Sequence, residues 1–182
     1  MKLFLIITLW TLQCGAQNLD HDILRDINAK GNFSNYWLVT SSSAYWVPAF
    51  IGVNEVAAGF INKDWAHPAG FGISIGIGLP LTMLLKAHIG RMRPYNQYDD
   101  IRPYKIMKDS SMPSGHTMMA FLTAATLSVQ FQKWSIAVPS MIWASTVGYS
   151  RMYLGEHFPS DVLAGMLIGT GSAILGNNII KH

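Results

Sequence analysis

The sequence predicts an all-α protein, a helical bundle of about five or six membrane-embedded or buried helices. Three observations support this fold class. Half of the 182 residues are hydrophobic and only 13% are charged, whereas a soluble domain is about one quarter charged. The mean hydropathy is positive, at +0.24. Apolar stretches of helical length recur along the chain between short polar segments. A tightly packed soluble helical protein is the alternative.

Residues 1–16 are expected to form a secretory signal peptide. Lys2 precedes a short apolar run, and the small residues Gly15 and Ala16 follow it, so cleavage is expected after Ala16. The run is too short to span a bilayer. An uncleaved N-terminal membrane anchor is the alternative, and either leader exports the chain. Residues 17–182 are then expected to form a single domain.

The remaining elements follow in order. Residues 17–36 are polar and charged, which predicts an exposed segment with one amphipathic helix. Aromatic residues between 36 and 47 suit either a membrane–water interface or a core. The stretch 68–85 is the best candidate span because it carries no charge, and the other stretches are short or interrupted, so they predict marginal spans or buried helices. The apolar stretches cover residues 48–61, 68–85, 117–131, 135–149 and 162–180.

Two pairs of glycines predict close contacts between helices. Gly72 and Gly76 are four residues apart, as are Gly165 and Gly169. Small residues at this spacing let helices approach closely in lipid.

Basic residues concentrate in two polar segments. If 68–85 runs outward, residues 86–114 and the segment around Arg151 and His157 share the outer side of the membrane. Most basic residues then lie outside, against the positive-inside tendency, which indicates that they serve function rather than topology. The cluster suits an anionic ligand, with a solvated basic loop as the alternative. Nucleic acid is disfavoured because no basic helix with interleaved aromatics is present.

The first polar cluster contains Lys86, Arg93 and Pro94. Lys86 and Arg93 are seven residues apart, so they are expected to share one helix face, and Pro94 is expected to stop that helix. Two cations at the end of an apolar helix need an anion, and a forked guanidinium matches phosphate oxygens.

The second cluster is Pro113-Ser114-Gly115-His116. Ser114 can cap the following helix, and its hydroxyl with the free backbone N–H groups makes an anion seat. Gly115 lets the backbone approach a ligand, and His116 then stands beside the anion. An ordinary turn and helix cap is the alternative.

The third cluster contains Arg151, His157 and Asp161. Arg151 supplies a second guanidinium. His157 and Asp161 are four residues apart, so the carboxylate can accept a hydrogen bond from one ring nitrogen and leave the other free as a nucleophile. A lone His–Asp pair is more often structural.

Together the three clusters resemble the full three-part signature of the type 2 phosphatidic acid phosphatase family, which includes bacterial non-specific acid phosphatases and is related to vanadium haloperoxidases. The resemblance covers the region from Lys86 to Asp161 with no motif position missing, and the N-terminal part agrees only in general hydropathy. It implies that His157 attacks phosphorus to form a phosphohistidine, that Asp161 orients His157, and that His116 protonates the leaving oxygen and later activates water. It further implies a phosphate-binding set of Lys86, Arg93, Ser114, Gly115 and Arg151.

The resemblance implies a metal-independent phosphatase without a cofactor. Its substrate is expected to be a lipid phosphate monoester or diphosphate such as phosphatidate, phosphatidylglycerophosphate, undecaprenyl diphosphate or lipid A. Membrane lipid is the expected partner, and the expected location is a bacterial-type inner membrane with the site facing the periplasm. The alternatives are a soluble periplasmic acid phosphatase and a non-catalytic lipid-phosphate binder or transporter, which would be expected to lose His116 or His157. The sequence determines neither the lipid nor the oligomeric state.

Overall fold

The computed structural model of the protein describes residues 18–181. Helices dominate this range, which contains no strand, so the all-α prediction is confirmed. The predicted signal peptide and its cleavage after Ala16 lie outside the described residues. The α-helices are α1 (residues 18–27), α2 (Asn35–Asn62), α3 (Ala66–Ile89), α4 (Gly115–Phe131), α5 (Trp134–Tyr153) and α6 (Pro159–Lys181).

Tight turns at one end of the bundle reverse the chain twice. Helices α2 and α4 are each followed by a C-cap residue in the left-handed region, Lys63 with φ 55° and Gln132 with φ 51°. The helices that follow them start within a few residues, so each pair runs antiparallel. The longer connections, residues 90–114 and 154–158, therefore lie together at the opposite end. This topology brings the three polar clusters to one end of the bundle.

Helix α4 is the central element. Met118, Ala120 and Leu122 are fully buried, and the helix packs mainly against α5 and α6. Gly165 of α6 faces α4 so closely that a Cβ atom there would lie 2.5 Å from the carbonyl oxygen of Ser114, and a Cβ at Gly169 would collide with the carbonyl of Met118. The predicted close approach is confirmed for this pair of glycines.

The same prediction is wrong for Gly72 and Gly76, because no atom lies within 4 Å of a Cβ at either position. Both lie on a side of α3 that meets no other helix. Gly78 makes the contact instead, since its Cβ would lie 2.9 Å from the Leu122 side chain of α4.

Within residues 18–181, three helical segments are long and apolar enough to cross a membrane: Asn35–Asn62, Ala66–Asn96 and Pro159–Ile180. Their outward faces carry large apolar side chains, including Val53, Met83 and Leu167, which are 70%, 67% and 68% exposed. Helix α4, predicted as a marginal span or a buried helix, is buried among its neighbours.

Helix α1 packs onto the polar end of the bundle. Its Leu24 is fully buried against Ile101 and Phe158. Asn28, just beyond the helix, donates hydrogen bonds to the carbonyl oxygens of Arg102 (3.0 Å) and Tyr153 (3.2 Å). The predicted amphipathic helix is present, but it docks on the connections between helices, so one face is not exposed as expected.

Candidate active site

The side chains predicted for catalysis and phosphate binding come from α3, α4, α5, α6 and the connections between them at the polar end of the bundle. Because these helices are packed through α4, the charges of Arg151, Arg93 and Lys86 all act on His116. The contributions are Lys86 in the last turn of α3, Arg93 in the next connection, Ser114, Gly115 and His116 at the start of α4, Arg151 in the last turn of α5, His157 before α6 and Asp161 in its first turn.

Lys86 and Arg93 do not share a helix face, so that prediction is wrong. Helix α3 ends at Ile89 because Gly90 adopts a left-handed conformation (φ 60°) and its N–H bonds the Lys86 carbonyl at 3.2 Å. Arg93 lies beyond this cap in an extended conformation. The helix thus stops before Pro94, and Arg93 reaches the site from the loop.

The two cations nevertheless meet at Asp109. Lys86 Nζ lies 2.9 Å from Asp109 Oδ2, and Arg93 Nη2 lies 2.7 Å from Oδ1. Partial burial disfavours the charged carboxylate, but the hydrogen bonds and positive charges of Lys86 and Arg93 outweigh it and hold the pKa of Asp109 at about 2. Asp109 therefore occupies donors of both cations that are predicted to bind phosphate.

His157 faces the guanidinium of Arg93. Its Nε2 lies 3.3 Å from Arg93 Nη1, which also donates to the Glu156 carbonyl at 2.8 Å. Both side chains are almost completely buried. Burial, together with the positive charges of Arg151 and Arg93, lowers the pKa of His157 to about 4 against the opposing influence of Asp161. The imidazole is therefore neutral at physiological pH, as a nucleophile must be.

Asp161 is fully buried beside the other ring nitrogen of His157. The distance from His157 Nδ1 to Asp161 Oδ2 is 3.6 Å, which is longer than a hydrogen bond, and Nδ1 has no other partner among the described residues. The predicted pair is thus adjacent but not hydrogen-bonded. Asp161 instead accepts hydrogen bonds from Ser111 Oγ (2.6 Å), the Phe158 N–H (2.9 Å) and Arg91 Nη1 (2.8 Å).

Ser114 is the N-cap of α4, as predicted. Its hydroxyl oxygen accepts hydrogen bonds from the Thr117 N–H and hydroxyl, and neither bond uses its own proton. The Ser114 N–H donates to the Asp161 carbonyl at 3.0 Å, which ties the start of α4 to the first turn of α6. A Cβ at Gly115 would meet only the Tyr45 hydroxyl, at 3.9 Å, so its backbone is open to a ligand.

His116 contacts Tyr45 of α2. The Tyr45 hydroxyl lies 3.4 Å from His116 Nδ1, and the rings meet edge to face with centroids 4.5 Å apart. A donated bond from Tyr45 to Nδ1 leaves the proton of a neutral imidazole on Nε2.

Arg151 is 3% exposed and spans two partners. Its Nη1 bonds the Ser41 hydroxyl and its Nη2 bonds the Glu156 carboxylate. The Nε donor finds no acceptor among the residues that the structure describes. A buried donor without a partner is costly, so this N–H is suited to an anionic oxygen entering the site.

The sequence interpretation missed several contacts of the site. Arg91, which lies outside the three-part signature, is largely buried and pairs with Asp161. Asp109, Tyr45 and Glu156 gave no recognisable signal, because their roles depend on contacts across the bundle. Within residues 18–181 no three His, Cys, Asp or Glu side chains are grouped to hold a metal ion. The metal-independent reaction stays a prediction.

Comparison with known proteins agrees with this arrangement. Residues 68–181 match the PAP2 superfamily. The chain belongs to this family. The match contains every side chain predicted for catalysis or phosphate binding, which confirms the resemblance seen in the sequence. Asp20 of α1 and Tyr45 of α2 lie outside the matched residues.

The relatives that the chain matches are named as phosphatases or diphosphatases of lipids. An undecaprenyl-diphosphatase of Sulfolobus acidocaldarius is 34% identical over 111 residues, 59% of this chain and 52% of the relative. A lipid A 4'-phosphatase of Bacteroides thetaiotaomicron is 27% identical over 137 residues, 68% of this chain and 59% of the relative. The chain therefore spans little more than half the length of these relatives. The crystal structure of Aquifex aeolicus LpxE is similar with a TM-score of 0.72 and 27% identity, over 86% of this chain and 93% of that chain.

Proposed function

We propose that this protein is a phosphatase that hydrolyses a lipid phosphate monoester or diphosphate through a phosphohistidine intermediate, without a metal ion. The observation that carries the proposal is the position of His157 Nε2, buried 3.3 Å from Arg93 Nη1. A neutral ring nitrogen in a cage of fixed cations suits attack on phosphorus. The relatives, named as lipid phosphatases and diphosphatases, support the same reaction class.

In the proposed first step, Nε2 of His157 forms a bond to phosphorus while the bond to the leaving oxygen breaks. His116, protonated beside the anionic phosphate, donates a proton to that oxygen and becomes neutral. The phosphorylated imidazole is positively charged, and Asp161 stabilises it once the present 3.6 Å gap to Nδ1 closes to a hydrogen bond. In the second step, a water molecule gives a proton to His116, and the water oxygen attacks phosphorus. The bond between phosphorus and His157 Nε2 breaks, which releases phosphate and neutral His157.

The cationic side chains stabilise the charge on the three equatorial oxygens of the transferred group. Lys86 and Arg93 bind them after exchanging Asp109 for phosphate, and Arg151 offers its unpaired Nε. Ser114 and the N–H of Gly115 add donors from the start of α4. Fixed positive charge in a site shielded from water is the main requirement of phosphoryl transfer.

We place the substrate in a membrane because the site lies at the end of helices whose outward faces are apolar. A lipid headgroup can reach the cage from the bilayer surface while its tail stays in the hydrocarbon. The proposed orientation directs this end of the bundle to the periplasm, and the predicted signal peptide supports export. The proposed substrates are those expected from the sequence: phosphatidate, phosphatidylglycerophosphate, undecaprenyl diphosphate or lipid A.

A phosphate-release panel tests the proposal. The detergent-purified chain is assayed on these four lipids and on a soluble ester such as p-nitrophenyl phosphate, with His157→Ala and His88→Ala as a matched pair. His88 is an exposed histidine outside the signature. We expect release from at least one lipid, its loss in His157→Ala and its retention in His88→Ala. Turnover of the soluble ester alone by a chain that needs no detergent would instead support a soluble acid phosphatase.

A further inference from the structure

The N-terminal helix α1 contributes a buried carboxylate to the neighbourhood of the candidate active site. Asp20 is 8% exposed and its Oδ2 lies 2.8 Å from Arg91 Nη2. Its other oxygen accepts the backbone N–H of Ser160 at 2.9 Å, and Oδ2 also accepts the Ser160 hydroxyl. Asp20 thus binds the connection after α3 and the first turn of α6 at the same time.

Arg91 links Asp20 to Asp161. Its Nη1 donates to Asp161 Oδ1 at 2.8 Å and to Ser160 Oγ at 2.6 Å, while Nη2 faces Asp20. The guanidinium carbon also lies 4.1 Å from the centre of the Phe158 ring. With both sides of its fork occupied, Arg91 has little freedom to rotate.

We propose that Asp20 is a positioning residue of the catalytic centre, acting through Arg91 on Asp161. The inference rests on the proposed function, in which Asp161 must close on His157 and stabilise its positive charge. Arg91 holds Oδ1 of Asp161, while Oδ2, which accepts bonds from Ser111 Oγ and the Phe158 N–H, is the oxygen that lies 3.6 Å from His157 Nδ1. The helix that carries Asp20 lies outside residues 68–181, which match the family.

The charge on Asp20 is expected to influence how readily His157 is protonated. Asp20 balances Arg91, so its neutralisation leaves the guanidinium to draw on Asp161 alone. Asp161 then supports the imidazolium of His157 less well, and the protonated form of His157 becomes harder to reach. The groups that face His157 from the packed elements are Arg93 after α3, His116 of α4, Arg151 and Glu156 from the end of α5, and Asp161 of α6.

The deciding experiment compares Asp20→Asn with Asp22→Asn. Asp22 lies on the same helix but is 56% exposed and pairs only with Arg25 among the described residues. Each variant is purified in detergent at full length. We expect kcat to fall about tenfold in Asp20→Asn, since small displacements of a catalytic group have large effects on rate, with KM within about twofold of wild type. Asp22→Asn is expected to match wild type in both.

A second readout does not depend on turnover. The pH dependence of hydrogen exchange at C2–H of His157, followed by mass spectrometry of the peptide that contains it, reports the protonation of this ring. The midpoint is expected to move to lower pH in Asp20→Asn and to stay in place in Asp22→Asn. If Asp20→Asn does not fold, the same measurement is made on Asp20→Ser, which is also neutral.

The outcomes separate the two proposals. If the wild-type protein releases phosphate from none of the substrates, the proposed function is wrong. The midpoint of hydrogen exchange at His157 still decides the role of Asp20 in that case. If neutral Asp20 variants leave the His157 midpoint unchanged, the positioning role is overturned, even where thermal stability falls. A loss of stability with unchanged kcat would likewise assign Asp20 to the attachment of α1 alone.

Discussion

Replacement of Gly165 by alanine tests whether the packing of α6 on α4 sets the geometry of the site. The added Cβ would lie 2.5 Å from the Ser114 carbonyl oxygen, whereas ordinary contact begins at 3.4 Å. The atom it meets is backbone, so no side chain can rotate away. Gly165 also lies one helical turn after Asp161, and Ser114 begins the helix that carries His116.

The size of the effect follows from these distances. The two helices must separate by about 0.9 Å at this point, because interiors are close-packed and yield little. The bond from the Ser114 N–H to the Asp161 carbonyl, now 3.0 Å, then stretches beyond hydrogen-bonding range. Overpacking of this kind costs about 1–3 kcal/mol, and a misplacement of about 1 Å in an active site lowers the rate about a hundredfold.

Gly171→Ala is the matched control, since it adds the same methyl group to the same helix where nothing lies within 4 Å. Phosphate release and thermal unfolding are measured in detergent for both variants. We expect Gly165→Ala to lose about a hundredfold in kcat and about 5 °C in Tm, and Gly171→Ala to retain both. Equal activity of the two variants would refute the claim that this contact fixes the position of the start of α4 relative to the first turn of α6.

Four further predictions concern the site itself. The pKa of His157, about 4, keeps the ring neutral above that pH, so kcat is expected to fall on the acid side near pH 4 rather than near 6.5, as a pH–rate profile will show. EDTA is expected to leave the rate unchanged, whereas a metal-dependent enzyme would lose activity. Asp109→Asn frees both cations, so the inhibition constant for vanadate is expected to fall about fivefold, and a rise would contradict competition for the same donors. Tyr45→Phe is expected to lower kcat about fivefold through His116, with Tyr36→Phe, an exposed tyrosine on the same helix, as its control.

Much of the fold could be predicted because apolar length is a strong signal. The stretches 68–85 and 162–180 lie within α3 and α6, and a low charge content already favoured helices in or near a membrane. Helix boundaries were harder. The end of α3 depends on Gly90 adopting a left-handed conformation, and the more familiar stop at Pro94 was assumed in its place. Gly165 and Gly169, which face α4, could not be distinguished in the sequence from the exposed Gly72 and Gly76, because both pairs have the same spacing.

The candidate site was predictable where roles follow from local sequence. The N-cap at Ser114 and the adjacency of His157 and Asp161 need only a helix and its period. Contacts made across the bundle left no such pattern. In the sequence, Arg91 looks like any basic residue of a polar loop. Its role depends on the carboxylates of Asp20 in α1 and Asp161 in α6, which are 71 and 70 residues away along the chain.

The central position of α4 has a consequence for the order in which the protein can become active. When the ribosome has made residues 1–158, both histidines and all three candidate phosphate-binding cations already exist in the nascent chain. At that moment the apolar surface of α4 is still uncovered, because α4 packs against Gly165 and Gly169 of α6, which has not yet been made. Asp161 arrives with the same helix. If the proposed function is correct, activity is therefore acquired only after synthesis of α6, and partly made chains are expected not to act on the lipids around them.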